Sequence, residues 1–244
     1  MQYYEQLWKA IIRPPRASYK VDDLGPKEFA IYGARVTRTD LEIKNSRGLT
    51  MQCSHFEPLE STREWENLPC VIYLHANASC RLEALDLVDK LLPQNISVFC
   101  FDFPGCGLSE GEYISLGWFE RDDIQTIVDY LREKRHVSTI GLWGRSMGAV
   151  TALLHGDRDP SIAGMILDSP FSNLNDLGRE LAKSYTKLPD FLIKTTFWSV
   201  KRTIKGKAEF EVDNLTPIDH VKECFIPALF IAAEGDDFVA PHHT

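Results

Sequence analysis

Short apolar runs alternate with segments of helical periodicity along most of this chain. Runs of strand length occupy 70–75, 96–102, 138–143, 162–167 and 226–233. Helical spacing follows the first two runs, at Leu82, Leu85, Val88, Leu91 and Leu92 and then at Ile124, Ile127, Val128 and Leu131. This order predicts an α/β fold with a mostly parallel central sheet and helices on both faces.

Two regions depart from the alternation of strands and helices. Residues 37–44 and 49–56 alternate apolar and polar positions around a turn at 45–48, which predicts a hairpin. We expect residues 1–36 to form a peripheral N-terminal segment ahead of one domain at 37–244. Within that domain, residues 172–224 show helical patterning and are expected to form a lid-like insertion. An ordinary helical connection with aromatic residues in the core is the alternative.

Composition narrows the class of protein. The chain has 244 residues, of which 44% are hydrophobic, and this is enough for one well-buried domain. Its formal net charge of −8 argues against a nucleic-acid partner. Six scattered cysteines without a C-x-x-C pair favour reduced thiols and a cytoplasmic protein. We find no apolar run of membrane-spanning length and no signal peptide.

Contact with a membrane surface is an open alternative for two segments. Trp8, Ile11 and Ile12 lie beside basic residues near the N-terminus, although packing on the domain explains them more simply. Residues 172–224 are rich in lysine and arginine within an acidic protein. A solvated surface accounts for this charge by default, and attraction to acidic lipid or substrate is the alternative. We therefore expect the protein to be cytoplasmic, with membrane-peripheral contact as the alternative.

The sequence Gly-Arg-Ser-Met-Gly at 144–148 carries the strongest candidate chemistry. It lies between a predicted strand and a run of small residues typical of a helix. In that context G-x-S-x-G predicts a nucleophile elbow, in which a strained turn projects the Ser146 hydroxyl from the sheet. A second match at 107–111 lies in a loop rich in proline and glycine, so we interpret Ser109 as a loop serine.

A serine nucleophile needs a base, an acid that orients the base, and donors for the oxyanion. Asp236 and Asp237 directly follow the last predicted strand and are the candidate acids, and Asp168 at the end of the preceding strand is the runner-up. The Met147 and Asn77 amides are the candidate oxyanion donors. His75 precedes Asn77, and we interpret it as a structural residue of that loop rather than the base.

Four segments together resemble the α/β-hydrolase superfamily, in its serine-peptidase-like and acyl-thioesterase-like branch of eukaryotic α/β-hydrolase domain proteins. They are Tyr-Leu-His-Ala-Asn-Ala at 73–78, the glycine-rich segment at 101–111, the elbow at 141–148, and the segment at 230–239. The resemblance implies an α/β-hydrolase fold with no metal or organic cofactor. It also selects Asp236 over Asp237, because the family places its acid three residues before the position of Val239.

The chain departs from this family at two points. Ala76 replaces the glycine that usually follows the loop histidine, which could narrow the oxyanion loop. The family histidine comes a few tens of residues beyond the acid, and only His242 and His243 follow Asp236 here. We expect neither to be catalytic. We expect instead that the last strand and helix of the fold, with the histidine, are absent from a truncated chain, leaving β-strand 226–233 with an exposed apolar edge and face.

The resulting prediction is a serine hydrolase that cleaves an ester, thioester or amide of a small or acylated substrate through an acyl-enzyme at Ser146. We expect the 244-residue chain itself to have little or no hydrolytic activity, because it supplies no recognisable base. A catalytically inactive homologue that binds a ligand or a protein is the alternative. The missing histidine favours that alternative, and the intact elbow opposes it, because a binding protein does not need a strained serine.

Overall fold

A central sheet of eight strands organises the computed structural model, which describes residues 2–63, 65–135, 137–185 and 189–244. The strands are β1 (Glu28–Ile31), β2 (Ala34–Lys44), β3 (Thr50–Pro58), β4 (Leu68–Leu74), β5 (Ser97–Phe101), β6 (Val137–Arg145), β7 (Gly164–Asp168) and β8 (Ala228–Ile231). The helices are α1 (Gln2–Ile12), α2 (Leu85–Leu91), α3 (Glu120–Lys134), α4 (Met147–Gly156), α5 (Leu174–Tyr185), α6 (Asp190–Ala208) and α7 (Pro217–Val221).

The sheet has an antiparallel part and a parallel part. Its strand order is β1-β2-β3-β5-β4-β6-β7-β8. The first three strands and the β3–β5 pair are antiparallel, and every pair from β5 to β8 is parallel. The predicted hairpin is therefore confirmed as β2 and β3, and the five predicted strands are confirmed within a few residues. Together with its helices this is the α/β-hydrolase fold that the sequence predicts.

Helices cover both faces of the sheet, as the strand–helix pattern predicts. Side chains of a strand alternate between the two faces, and β4 shows this with the neighbours Ile72 and Tyr73. Ile72 packs in a buried cluster with Ile124 of α3 and Val150 of α4. Tyr73 belongs to a second buried cluster that contains Val88 of α2. The two clusters are the hydrophobic cores on opposite faces of one sheet.

The strand β8 is exposed, as expected for the apolar run at 226–233. Among the described strands it pairs only with β7, and every residue of β8 is exposed. Leu229 is 56% exposed, and Phe230 and Ile231 are each 38% exposed. An apolar strand with an open edge and an open face favours association with further protein surface.

The N-terminal segment requires two corrections. The sheet begins inside residues 1–36, because β1 pairs with β2 from Glu28 onward. The helix α1 is also not peripheral: Trp8 and Ile12 are buried in the larger core cluster. The hydroxyl of Tyr4 donates to the carbonyl of Ser199 on α6 at 2.8 Å, which fixes α1 against that helix. Trp8 and Ile12 therefore pack on the domain, whereas Leu7 of the same helix is exposed, and membrane contact of this segment stays a prediction.

Residues 172–224 form α5, α6 and α7 between β7 and β8. Val200 and Ile204 on α6 are buried in the core, whereas Phe191 and Trp198 on the same helix are 66% and 61% exposed. Part of this insertion is therefore an ordinary packed connection. The role of this insertion as a lid stays a prediction. Contact of its exposed aromatic and basic side chains with lipid also stays a prediction. Leu188, within the same segment, lies outside the described residues. We also find no described helix long and apolar enough to cross a membrane.

We predict that α1 contributes to stability through its buried side chains. Ile12→Ala should lower the free energy of unfolding by about 2–5 kcal/mol, because Ile12 is fully buried in the core. Leu7→Ala on the same helix should change it by less than about 0.5 kcal/mol, since Leu7 is 46% exposed. Urea denaturation followed by circular dichroism measures both. Equal effects of the two substitutions would contradict the docking of α1.

Candidate active site

Four loops meet at the edge of the sheet where the parallel strands end. Leu74 of β4 is in register with Gly144, and Asp168 of β7 is in register with both Arg145 and Ile231. The segments that follow β4, β6, β7 and β8 therefore begin side by side. In open α/β sheets this carboxyl edge is where ligands bind. It brings the loops that carry Asn77, Ser146, Asp168 and Asp236 to one end of the molecule.

Ser146 stands on a strained turn directly between β6 and α4. Its backbone has φ 50° and ψ −113°, a conformation that residues other than glycine rarely adopt. Two glycines permit this turn. A Cβ on Gly148 would lie 2.0 Å from the Leu74 carbonyl oxygen, and one on Gly144 would lie 2.3 Å from the Gly148 carbonyl. Nothing larger than hydrogen fits at either position, which is why the pattern G-x-S-x-G is needed here.

The Ser146 backbone is fixed by a hydrogen bond, whereas its hydroxyl has no hydrogen-bond partner among the described residues. Its amide donates to the Asp168 carbonyl at 2.7 Å, which fixes the turn against β7. Its hydroxyl is partly exposed and makes no hydrogen bond in the part of the chain that the structure describes. The next amide, that of Met147, begins α4 and has no partner among these residues. The helix therefore presents an unpaired N–H and its positive dipole end beside the hydroxyl.

The loop after β4 is held so that the Asn77 amide stays unpaired. His75 Nδ1 donates to the Ala76 carbonyl at 2.7 Å, and the Ala76 amide donates to the Glu83 carboxylate at 3.1 Å. Both ends of Ala76 are thus fixed, while the Asn77 N–H has no partner among the described residues. Ala76 itself is not among the residues with positive φ, so replacing glycine by alanine there introduces no backbone strain.

His75 has a structural role, in agreement with its interpretation from the sequence. It is fully buried, and its Nε2 accepts a hydrogen bond from the Phe103 amide at 3.0 Å. Its Nδ1 is the donor to Ala76, so both ring nitrogens are occupied. Burial holds the pKa of His75 below its usual value, which favours the neutral ring. A neutral imidazole with a hydrogen bond at each ring nitrogen stabilises the loop and is not free to accept a proton from Ser146.

The three candidate acids differ in how their carboxylates are used. Asp236 accepts the amides of Phe238 and Val239 through Oδ1, each at 2.9 Å, and its Oδ2 has no partner among the described residues. Asp168 has both oxygens engaged, one with the Ser169 hydroxyl at 3.1 Å and one with Arg145 at 3.8 Å. Asp237 is exposed. Only Asp236 combines a fixed carboxylate with a free oxygen, as an orienting acid requires.

No described histidine contacts either Ser146 or Asp236. His242 and His243 both bond to Glu180 of α5, with Nε2–carboxylate distances of 3.0 and 3.2 Å. The other described histidines lie in separate contacts, His55 with Arg135, His155 with the Arg121 carbonyl and His220 with Asp157; His136 lies outside the described residues. His242 and His243 therefore contact α5 in this structure, and the identity of the base stays a prediction.

Ser109 is a buried structural residue. Its hydroxyl donates to the Asp102 carbonyl at 2.6 Å and accepts the Gln52 amide at 2.8 Å. Gly107 in the same loop has φ 44°, and a Cβ there would lie 2.4 Å from the Asp102 carboxyl carbon. The second G-x-S-x-G match is therefore explained by loop packing around a buried aspartate.

Sequence reasoning missed Glu83 and Ser169. Glu83 accepts both the Ala76 amide and the Tyr73 hydroxyl, and burial followed by the Glu83 charge raises the pKa of Tyr73. Ser169 and Ala78 share the positive φ of Ser146, at 53° and 60°. Strained residues that gather at one edge are typical of functional sites. The positive φ of Ser169 and Ala78 has no sequence signal, because serine and alanine rarely adopt that conformation.

The fold and this edge define an α/β-hydrolase. A family model described as serine aminopeptidase, S33 (Hydrolase_4) matches residues 69–222. The chain belongs to this family. The YqkD protein of Bacillus subtilis is 28% identical over 209 residues, 84% of this chain and 65% of that protein. The α/β-hydrolase domain-containing protein WAV2 of Arabidopsis thaliana is 25% identical over 223 residues, 89% of this chain and 68% of that protein.

Solved structures show the same fold. The Pyrococcus furiosus esterase Pf2001 superposes with a TM-score of 0.68 at 22% identity, over 94% of this chain and 80% of that one. The Pyrococcus horikoshii acylaminoacyl peptidase superposes with a TM-score of 0.61 at 16% identity, over 85% of this chain and 33% of that one. The chain spans 65% of the length of YqkD and 64% of the length of bem46 of Schizosaccharomyces pombe.

We predict that Gly148 is essential for the elbow. Gly148→Ala should lower the free energy of unfolding by about 3 kcal/mol, since its Cβ meets the backbone of Leu74 at 2.0 Å. Gly206→Ala on α6 is the matched control, because a Cβ there meets nothing within 4 Å. It should stabilise the protein by about 0.5–1 kcal/mol, the gain of alanine over glycine in a helix. Chemical denaturation compares the two; a tolerated Gly148→Ala would refute the close approach.

Proposed function

We propose that this protein is a serine hydrolase that cleaves an ester, thioester or amide through an acyl-enzyme at Ser146. The strained backbone of Ser146, followed by the unpaired Met147 amide at the start of α4, is the observation that carries this proposal. Membership of a hydrolase family, and a fold shared with an esterase and a peptidase, support hydrolase chemistry in general. The substrate class and the nucleophile are our inference.

In the proposed mechanism the Ser146 oxygen attacks the substrate carbonyl while a histidine takes the hydroxyl proton. The negative charge that develops on the carbonyl oxygen is stabilised by the amides of Met147 and Asn77. The histidine returns the proton to the leaving group, and water then hydrolyses the acyl-enzyme by the same steps. Asp236 orients the histidine through its free oxygen and stabilises the positive charge of the ring.

The general base in this mechanism comes from outside the described residues. All described histidines are engaged in other contacts, so none can accept the Ser146 proton as the structure stands. The relatives extend beyond the part that this chain matches, and the activity of the whole protein is therefore part of the proposal.

A binding protein without catalytic activity is the second candidate. The absence of a histidine at Ser146 among the described residues favours it. Against it, Ser146 adopts a conformation that costs about 1–3 kcal/mol, and such strain is retained where it serves chemistry. We therefore prefer the enzyme.

We also propose a reducing, cytoplasmic compartment, supported by five cysteines that are buried without forming disulfides: Cys53, Cys70, Cys80, Cys100 and Cys106.

The nucleophile is tested by turnover of the native protein on p-nitrophenyl esters and matched thioesters. Ser146→Ala should lower kcat by roughly 10⁶-fold, because the nucleophile is lost. Ser109→Ala is the control and should retain kcat, since its hydroxyl is bonded inside a loop. If Ser146→Ala keeps wild-type activity, Ser146 is not the nucleophile; if the native wild-type protein has no activity on any acyl substrate, the binding protein is favoured.

The acid is tested by comparing three substitutions of similar size. Asp236→Asn should lower kcat by roughly 10⁴-fold with an unchanged melting temperature, because the histidine loses its orienting partner. Asp237→Asn and Asp168→Asn should each cost far less, since Asp237 is exposed and Asp168 already accepts the Ser169 hydroxyl and forms an ion pair with Arg145. A larger loss for Asp168→Asn than for Asp236→Asn would move the acid to β7 and contradict the assignment.

A further inference from the structure

Three side chains converge where the turn after β8 meets α5. The turn Pro241–His243 places both histidines against Glu180. His242 Nε2 lies 3.0 Å from one carboxylate oxygen of Glu180, and His243 Nε2 lies 3.2 Å from the other. The ligand atoms of the three residues all lie within 4.8 Å of one another. We call these three residues the His–His–Glu cluster.

The donor set of this cluster matches a known class of metal site. Two imidazole nitrogens and one carboxylate are the ligands of many zinc sites, and they leave a fourth position for water. The side chains of His242 and Glu180 are 62% and 42% exposed, so an ion can reach them from solvent. The side chain of His243 is only 1% exposed and is therefore the fixed member of the set. These exposures describe a site that is open to solvent at His242 and Glu180 and held in place at His243.

His243 also has the support that a metal-binding histidine needs. Its Nδ1 lies 2.8 Å from the Ser172 hydroxyl, which can accept the Nδ1 proton once a metal ion takes the place of the proton on Nε2. Outer contacts of this kind fix the tautomer and orientation of metal ligands.

We propose that Glu180, His242 and His243 bind a divalent transition-metal ion such as Zn²⁺. The ion would join the turn after β8 to α5, and so connect the loop that carries Asp236 to the helical insertion. Its bonds replace the hydrogen bonds between the histidines and Glu180, so the side chains need only small rearrangements. This site is independent of the hydrolase proposal, because none of the three residues has a role in that mechanism.

Calorimetric titration of Zn²⁺ into the metal-free 244-residue protein tests this proposal. We expect one site per chain, and visible absorption of the Co²⁺ form typical of a four-coordinate nitrogen and oxygen site. His242→Ala and Glu180→Gln should each abolish stoichiometric binding. Ser172→Ala should weaken it by roughly 10–100-fold through loss of the outer contact. His220→Ala is the matched control, because His220 pairs with the single carboxylate of Asp157 and no second histidine.

The controls separate metal binding from folding. His242 is exposed and Glu180→Gln preserves side-chain size, so both variants should melt like the wild type in EDTA. Wild-type protein should melt at a higher temperature with Zn²⁺ than in EDTA, whereas Glu180→Gln should not. The proposal is overturned if the wild type binds no Zn²⁺ stoichiometrically, if His242→Ala and Glu180→Gln bind it as the wild type does, or if His220→Ala loses binding equally.

Discussion

The close approach of α4 to the end of β4 is the constraint on which the candidate site depends. The hydrogen of Gly148 occupies the only space between the helix and the Leu74 carbonyl, where a Cβ would lie 2.0 Å from oxygen. This approach sets the start of the helix directly at the end of the sheet. Ser146 must then turn the chain through a positive φ, and the first free amide of the helix comes to lie next to the loop after β4. Packing thus determines the backbone strain, and the strain determines where the hydroxyl points.

The loop after β4 is organised by polar contacts rather than by packing. The Ala76 peptide is held at its oxygen by His75 and at its nitrogen by Glu83, and the buried His75 ring is itself held by the Phe103 amide. These bonds fix the carbonyl and the amide of Ala76, and the Asn77 amide next to it has no partner in the described part of the chain. An oxyanion hole needs donors that are fixed before the charge appears, because their reorganisation would otherwise cost free energy during the reaction. A loop fixed on both sides of Ala76, with the Asn77 amide unpaired among the described residues, meets that requirement.

Most of the fold could be predicted from the sequence because its signals are local. Apolar runs of strand length gave β4 to β8, and the glycines at 144 and 148 identified the elbow through their spacing around Ser146. Contacts between distant segments could not be predicted in this way. The docking of α1 depends on contacts with α6, such as that between Tyr4 and Ser199, which are 195 positions apart. The role of Glu83 depends on the shape of the loop after β4. The His–His–Glu cluster likewise joins residues about 60 positions apart, which no periodicity reveals.

The most direct test of this account is a crystal structure of the native protein after reaction with a fluorophosphonate. The account predicts phosphorus bonded to the Ser146 oxygen, and a phosphoryl oxygen about 3 Å from both the Met147 and the Asn77 amide nitrogens. It also predicts a histidine between Ser146 and the free oxygen of Asp236. Phosphorus on any other serine, or a phosphoryl oxygen bound away from these two amides, would contradict it.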